Sequence, residues 1–159
     1  MEDITYISGD RKFNYRVCAI IIEGGRLLAM HDERSPYYYL PGGRVKLGET
    51  AEEAVLREVR EELLIEPSTV RPLWLVQSFF NEDVDKLDYH ELCLYFLMNA
   101  SASELSGRGE RFTLKENGHT HDFEWLELER LNGEYFYPLF LKERIFSLSE
   151  SLELLTERE

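Results

Sequence analysis

The eight residues REVREELL, positions 57–64, carry three acids in one short stretch. Written as a helix, with about 100° of rotation per residue, Glu61 falls near −60° and Glu62 near +40° of Glu58. Ala51, Val55, Leu56, Val59 and Leu63 occupy the adjoining arc, so the acids flank the buried face rather than spread over a solvated one. Glu53, Arg57 and Glu61 form an i, i+4 ladder that stabilises a surface helix by about 0.2–0.5 kcal/mol per pair. Helix stability gives no reason for the rest. Glu58 and Glu62 are an i, i+4 like-charge pair, and all three acids lie toward the helix C-terminus, where the macrodipole disfavours anions. A hard divalent cation resolves the conflict, because Mg²⁺ takes carboxylate oxygens together with waters and substrate phosphates.

The elements around the acids must present them. Thr50 is the expected N-cap of a helix over 49–65, with Glu53 closing a capping box. Upstream, Pro41-Gly42-Gly43 ends a short strand at 37–43; two adjacent glycines let a ligand or metal approach the main chain closely. Residues 43–65, GRVKLGETAEEAVLREVREELLI, closely resemble the Nudix box, Gly-x5-Glu-x7-Arg-Glu-U-x-Glu-Glu-x-Gly-U, where U is a bulky aliphatic. Gly43, Glu49, Arg57, Glu58, Val59, Glu61, Glu62 and Ile65 fall in register, and the preceding LPGG is typical of the family. Leu64 departs from it, standing where the second glycine normally helps end the helix in the left-handed conformation.

The resemblance implies a Nudix-type α/β/α sandwich with a mixed β-sheet. It also implies an enzyme that uses Mg²⁺ or Mn²⁺ to hydrolyse the pyrophosphate of a nucleoside diphosphate derivative. Glu58 and Glu62 match the firmest metal ligands. Glu61 would be a further ligand or the base acting on a metal-bound water. Glu49 and the Gly43 carbonyl would complete the site, and Arg57 would orient Glu58 and Glu61. Some members add an acid from outside the box, for which Glu91, Glu116, Asp122 and Glu124 are the candidates. Tyr37, Tyr39, Phe79 and Phe80 are the aromatic candidates for stacking on a base, with Tyr39 and Phe79 foremost. The marker residues of two subfamilies, a proline for ADP-ribose hydrolases and a tyrosine for dinucleoside polyphosphate hydrolases, are both missing from FFNED, which disfavours those substrates. A nucleoside triphosphate, oxidised or otherwise non-standard, is the first expectation and a nucleotide sugar the second. The competing reading is a Nudix-fold module that senses a nucleotide without cleaving it. A third is an acidic structural domain whose Glu cluster merely binds Ca²⁺ or stays solvated.

Composition agrees with a small-molecule substrate. The 159 residues suit one domain spanning 1–159, and 43 % hydrophobic content suits a packed core. With a formal charge of −13 the chain is a poor partner for a nucleic-acid polymer or an anionic membrane, and a phosphate substrate then needs metals to bring positive charge. No secretory leader or membrane-length apolar run stands out. Cys18 and Cys93 lie in apolar runs and read as buried free thiols of a cytoplasmic protein. His119 and His121 are too few for zinc.

Along the chain, residues 1–12 read as a loose arm or edge strand through which a homodimer could form. Residues 15–33 read as two strands about Gly24-Gly25. Further strands are expected at 70–81, 90–100 and 123–128, with a polar connection over 100–122. From Pro138 onward, Leu141, Ile145, Leu148, Leu152 and Leu155 have helical spacing, which predicts a closing helix and a mixed sheet between helices.

Overall fold

The structure is a computed structural model describing residues 1–67, 69–99, 104–105 and 107–159. Its centre is a six-stranded mixed sheet. Strands β1 (Thr5–Ser8), β2 (Arg11–Ile20), β7 (Asp88–Asn99), β6 (Thr69–Asn81) and β10 (Glu153–Arg158) lie in that order, and β5 (Gly42–Arg44) pairs with the far half of β2. The β2–β7 and β6–β10 pairs are parallel and the others antiparallel. A second, antiparallel sheet runs β3 (Ile22–Glu23), β4 (Arg26–His31), β9 (His119–Glu127), β8 (Arg111–Glu116).

The longest helix among the described residues, α1 (Ala51–Leu63), starts as expected. Thr50 Oγ1 accepts the Glu53 N–H while Glu53 returns a hydrogen bond from the Thr50 N–H, a complete capping box. Ala54, Val55, Val59 and Leu63 of α1 are buried against Val17 and Ala19 of β2, Phe96 and Met98 of β7, and Phe123 and Trp125 of β9. A second core fills the other side, where Cys18, Ile20, Trp74 and Tyr95 meet Leu131, Phe136, Leu141 and Ile145. The last four come from a 3₁₀ helix (Leu128–Gly133), the segment after it, and the short α2 (Leu141–Arg144) with its cap residue. Helical segments thus cover both sides of the mixed sheet, the Nudix architecture.

Leu64 takes the left-handed cap itself, with φ 56° and ψ 41°, and its N–H bonds the Arg60 carbonyl. The turn survives without glycine, at a cost of about 1–2 kcal/mol for a β-carbon in that region. Leu64 is 62 % exposed, so its side chain returns little. Leu64→Gly is therefore expected to raise unfolding stability by about 1 kcal/mol in a denaturant titration, with activity unchanged.

Three expectations need correction. The closing helix is only α2; residues 153–158 form β10 instead. Leucines at helical spacing run through Ser147, Ser149 and Ser151, poor helix formers. The edge of β6 offers a ladder that pairs Glu153 with Trp74 through Arg158 with Phe79. The connection over 100–122 is not irregular throughout, although residues 100–103 and 106 lie outside the described set. It holds β8 and the start of β9, joined at Asn117-Gly118, both with positive φ. Asn-Gly between alternating runs is a hairpin signal. For the same reason His119 and His121 stand on a strand, not a loop. At the other end, Thr5–Ser8 is the edge strand, paired to β2 from Thr5↔Asn14 to Ser8↔Arg11. Cys18 and Cys93 are buried and unlinked, their sulfurs 3.7 Å apart.

Candidate functional site

Strand β5 and the C-terminal half of α1 bring the box residues together. Arg57 is the hub. Its Nε and Nη2 donate to the two oxygens of Glu49 at 2.6 and 2.9 Å, a forked pair, while Nη1 donates to Glu58 at 2.8 Å. Nη2 also donates to the Arg44 carbonyl at 3.0 Å, tying the helix to β5. Glu61 lies at 3.5 Å from Nη1 and is the most open of the three helix acids. Arg57 therefore orients Glu49 and Glu58 first and Glu61 only weakly. Glu49 accepts a further hydrogen bond, from the Lys46 N–H at 2.8 Å, so the loop before the helix is fixed as well.

Glu62 differs from these. It is 7 % exposed and accepts the Gly42 N–H at 2.9 Å, with no cationic side chain among the described residues paired to it. Burial, and then the charge of Glu58 and, past the offsetting Gly42 hydrogen bond, of Glu116, holds its carboxyl well above the usual carboxylate range. Glu58 is raised too, by burial, partly relieved by Arg57, with Glu61 and Glu116 adding repulsion. Glu58 packs tightly on Gly43: a β-carbon there would overlap its Cδ and Oε1 and sit 2.7 Å from its Oε2. Two carboxylates, Glu58 and Glu62, thus lie against Gly42-Gly43. No three acid, cysteine or histidine side chains among the described residues converge into a closed cation cage as they stand.

The outlying acids are sorted by strand alternation. Glu116 faces the box: it acts on both Glu58 and Glu62, and His121 Nε2 stands 3.6 Å from it. His121 is buried, and its Nδ1 has no hydrogen-bond partner among the described residues. Asp122 bonds the Thr113 hydroxyl at 2.8 Å, and Glu124 accepts from Tyr38 at 2.7 Å and pairs with Arg111 at 3.2 Å. They line a cavity of about 370 Å³ with His31, Tyr38 and Arg111 that includes none of the box acids. Glu91 is held by Asn14 Nδ2 at 2.8 Å on the mixed sheet.

Of the aromatic candidates, Tyr39 is near the acids. Its hydroxyl donates to Asp32 at 3.0 Å, and burial, Asp32 and Glu62 all oppose its ionisation. Tyr37 packs on Tyr39, Tyr135 and Tyr137 with centroids 6.3, 5.7 and 5.1 Å away. Phe79 packs on His90 and under Arg158 and makes no ring contact with Tyr39; Phe80 stacks on Tyr89. Sequence reasoning missed Asp32. Burial opposes its charge, but the Arg34 N–H, the Tyr39 hydroxyl and the Arg34 guanidinium more than offset that and hold it below its ordinary value. An acid two residues before an arginine, closing an apolar strand, was the available signal.

A mixed sheet with helical segments on both faces, and a glycine pair opposite an acid-rich helix, define the Nudix class. The NUDIX domain model matches residues 12–144, and the chain belongs to that family. Among curated proteins, an ADP-ribose pyrophosphatase of Methanocaldococcus jannaschii is 34 % identical over 92 residues, covering 56 % of this chain and 52 % of the relative. The matched part thus spans about half of that relative. Among solved structures, the mutator MutT protein of Bacillus halodurans superposes with a TM-score of 0.68 at 15 % identity, covering 91 % of this chain and 89 % of that one. An ADP-ribose pyrophosphatase of Streptococcus suis gives 0.55 at 15 % identity, covering 90 % and 98 %. These likenesses in structure concern the fold.

Proposed function

We propose that the protein is a divalent-metal-dependent hydrolase of the pyrophosphate bond in a nucleoside diphosphate derivative. The observation that carries this is Glu62, a buried carboxylate opposed by the charges of Glu58 and Glu116, with the Gly42 N–H as its one hydrogen-bond partner among the described residues. Such uncompensated charge costs several kcal/mol unless a cation joins it. The donors are all oxygen, the chemistry that Mg²⁺ or Mn²⁺ prefers. Glu58 and Glu62 would hold the ion, with the Gly43 carbonyl beside them and Glu116 as the added acid from outside the box. Glu49, both oxygens engaged by Arg57, completes the site by fixing that arginine and through it Glu58. The bound cation would supply charge neutralisation on the phosphoryl oxygens and a more acidic water. Glu61, the open carboxylate, would take the proton from the attacking water at its Oε atoms. Tyr39, beside Glu62, is favoured over Phe79 for the nucleoside.

A nucleoside triphosphate, oxidised or non-standard, remains the leading substrate and a nucleotide sugar the next. The name of the Methanocaldococcus relative puts ADP-ribose in the same panel. The two free thiols support a reducing, cytoplasmic setting. Exposed Tyr6 and Ile7 on the edge strand β1 are where a homodimer would form. The test is incubation of the protein with nucleoside triphosphates, nucleotide sugars, dinucleotides and ADP-ribose, with Mg²⁺ or EDTA, and chromatography of the products. Release of a nucleotide only with metal is the expected result. Nucleotide binding with no turnover across the panel would replace the enzyme by a sensing module.

A further inference from the structure

Arg16 takes no part in that chemistry, yet it stands beside it. On β2 it is opposite Arg44, and Cys18, two residues on, is opposite Gly42. Residues two apart share a face of a strand. The parallel register sets Asn14 beside Glu91, Arg16 beside Cys93 and Cys18 beside Tyr95. This is the face of the second core, opposite α1; it runs from Glu91 past Arg16 to Cys18 and meets the acidic helix at the sheet edge, where Gly42, the partner of Cys18, donates its N–H to Glu62. The step from Cys18 to Arg16 is about 7 Å at 3.3 Å per residue, close to the span of a ribose.

The guanidinium is poorly matched by its own chain. Its charged and titratable neighbours are Cys18, Glu91, Cys93 and Tyr95. Among the described residues no carboxylate forms an ion pair with it, although acids outnumber bases 31 to 18 in this chain. Arg44, directly opposite, has Asp3 at 3.6 Å and adds repulsion rather than relief. Glu91 is committed elsewhere: it accepts from Asn14 Nδ2 at 2.8 Å, and Asn14, 2 % exposed, accepts in turn from the Thr5 hydroxyl at 2.6 Å. Arg16 and Glu91 are both half-buried, so each keeps a solvent-facing part. A partly desolvated arginine whose side-chain hydrogen bond goes to the Cys18 thiol rather than to a carboxylate is costly, and a forked donor and a fixed acceptor are left facing the same side.

We propose that Arg16 and Glu91 read the edge of the substrate's nucleobase. Arg16 donates to two adjacent acceptor atoms, and Glu91 accepts from an amino or imino hydrogen. Guanine and cytosine fit best, since a guanidinium forks onto neighbouring acceptors such as O6 and N7 and a carboxylate accepts from an exocyclic amine. Glu91 argues against a phosphate at this place, because a carboxylate there repels one. The inference rests on the proposed function only for where the diphosphate lies.

The test is calorimetric binding of GMP, CMP, AMP, UMP and inorganic pyrophosphate in Mg²⁺, since the monophosphates have no pyrophosphate to cleave. The wild type should bind GMP or CMP at least about 10-fold tighter than AMP and UMP, the discrimination of one good bidentate pair. Arg16→Lys, which keeps the charge and loses the fork, should erase that preference and leave pyrophosphate affinity alone. Glu91→Gln should narrow it. Thermal melts of each variant check folding, and Arg16→Lys is the variant expected to fold unaltered. Equal affinity for all four nucleotides in the wild type, or a loss in Arg16→Lys shared equally by pyrophosphate and every nucleotide, would overturn the assignment. Base-selective binding without turnover of the triphosphates would leave Arg16 in place and remove the hydrolase instead.

Discussion

Glu62→Gln is expected to abolish hydrolysis and, in EDTA, to melt at a higher temperature than the wild type. The two effects have one cause. Glutamine keeps an oxygen for the Gly42 N–H but removes the charge that burial, Glu58 and Glu116 oppose. Losing a ligand that stabilises the cation at the reacting phosphate forfeits several kcal/mol, or roughly 10²–10⁴ in rate. Relieving a buried like-charge contact returns on the order of 1 kcal/mol, about 2–4 °C for a chain of this size. The sign with pH follows from the direction of the shift. Because the folded value lies above the ordinary 4.5, the folded state holds the proton longer than the unfolded one. Below about 4.5 the wild type and the variant should melt alike, and the wild type should fall behind as the pH rises through the folded value. Melting curves at pH 4 and pH 8 in EDTA decide it; a variant less stable than wild type at pH 8 would mean that Glu62 is already satisfied by the protein.

Adjacent glycines should give opposite outcomes. A β-carbon on Gly42 would overlap the Val17 carbonyl oxygen and come within 2.9 Å of Cys18 Cα, both main chain of the neighbouring strand. Backbone cannot move aside without breaking the β2–β5 ladder, so Gly42→Ala should lose at least about 3 kcal/mol of stability or fail to fold. The nearest atoms to a β-carbon on Gly43 are the carboxyl end of Glu58, a side chain that can swing away where a neighbouring strand cannot. Gly43→Ala should fold within about 1 kcal/mol of wild type and lose about 10²-fold in activity by displacing that carboxylate. Circular dichroism melts with a turnover assay separate the cases. A stable, active Gly42→Ala would refute the crowding argument.

The parts of the molecule that could be read in advance are those whose signal is local. The capping box at Thr50 and Glu53 and the register of the acids on α1 depend on neighbours within a few residues. The residues around Gly42 were legible as a close-approach loop for the same reason. What escaped reading depends on distant strands. Residues 153–158 look helical until the open edge of β6, nearly 80 residues earlier in sequence, is there to pair with them. Asp32 and Tyr39 meet across a loop, and Glu116 reaches Glu58 only because β8 folds onto α1. Glu91 was readable only as an outlying acid and Arg16 not at all; their relation exists only in the parallel register of β2 and β7. The Asn117-Gly118 hairpin is a different matter, since its signal was present and local.

That parallel register also governs how the chain must fold. Val17 to Leu94 is one rung of the ladder between β2 and β7, and the whole glycine loop and acidic helix lie in the loop that this rung closes. Closing a loop of that length is slow compared with hairpin formation. Until it closes, the run VCAI that ends β2 lacks its β7 neighbour and can pair with its copy on another molecule. Refolding from denaturant should therefore give a yield that falls as protein concentration rises, with recovered activity tracking the β2–β7 closure rather than the formation of α1.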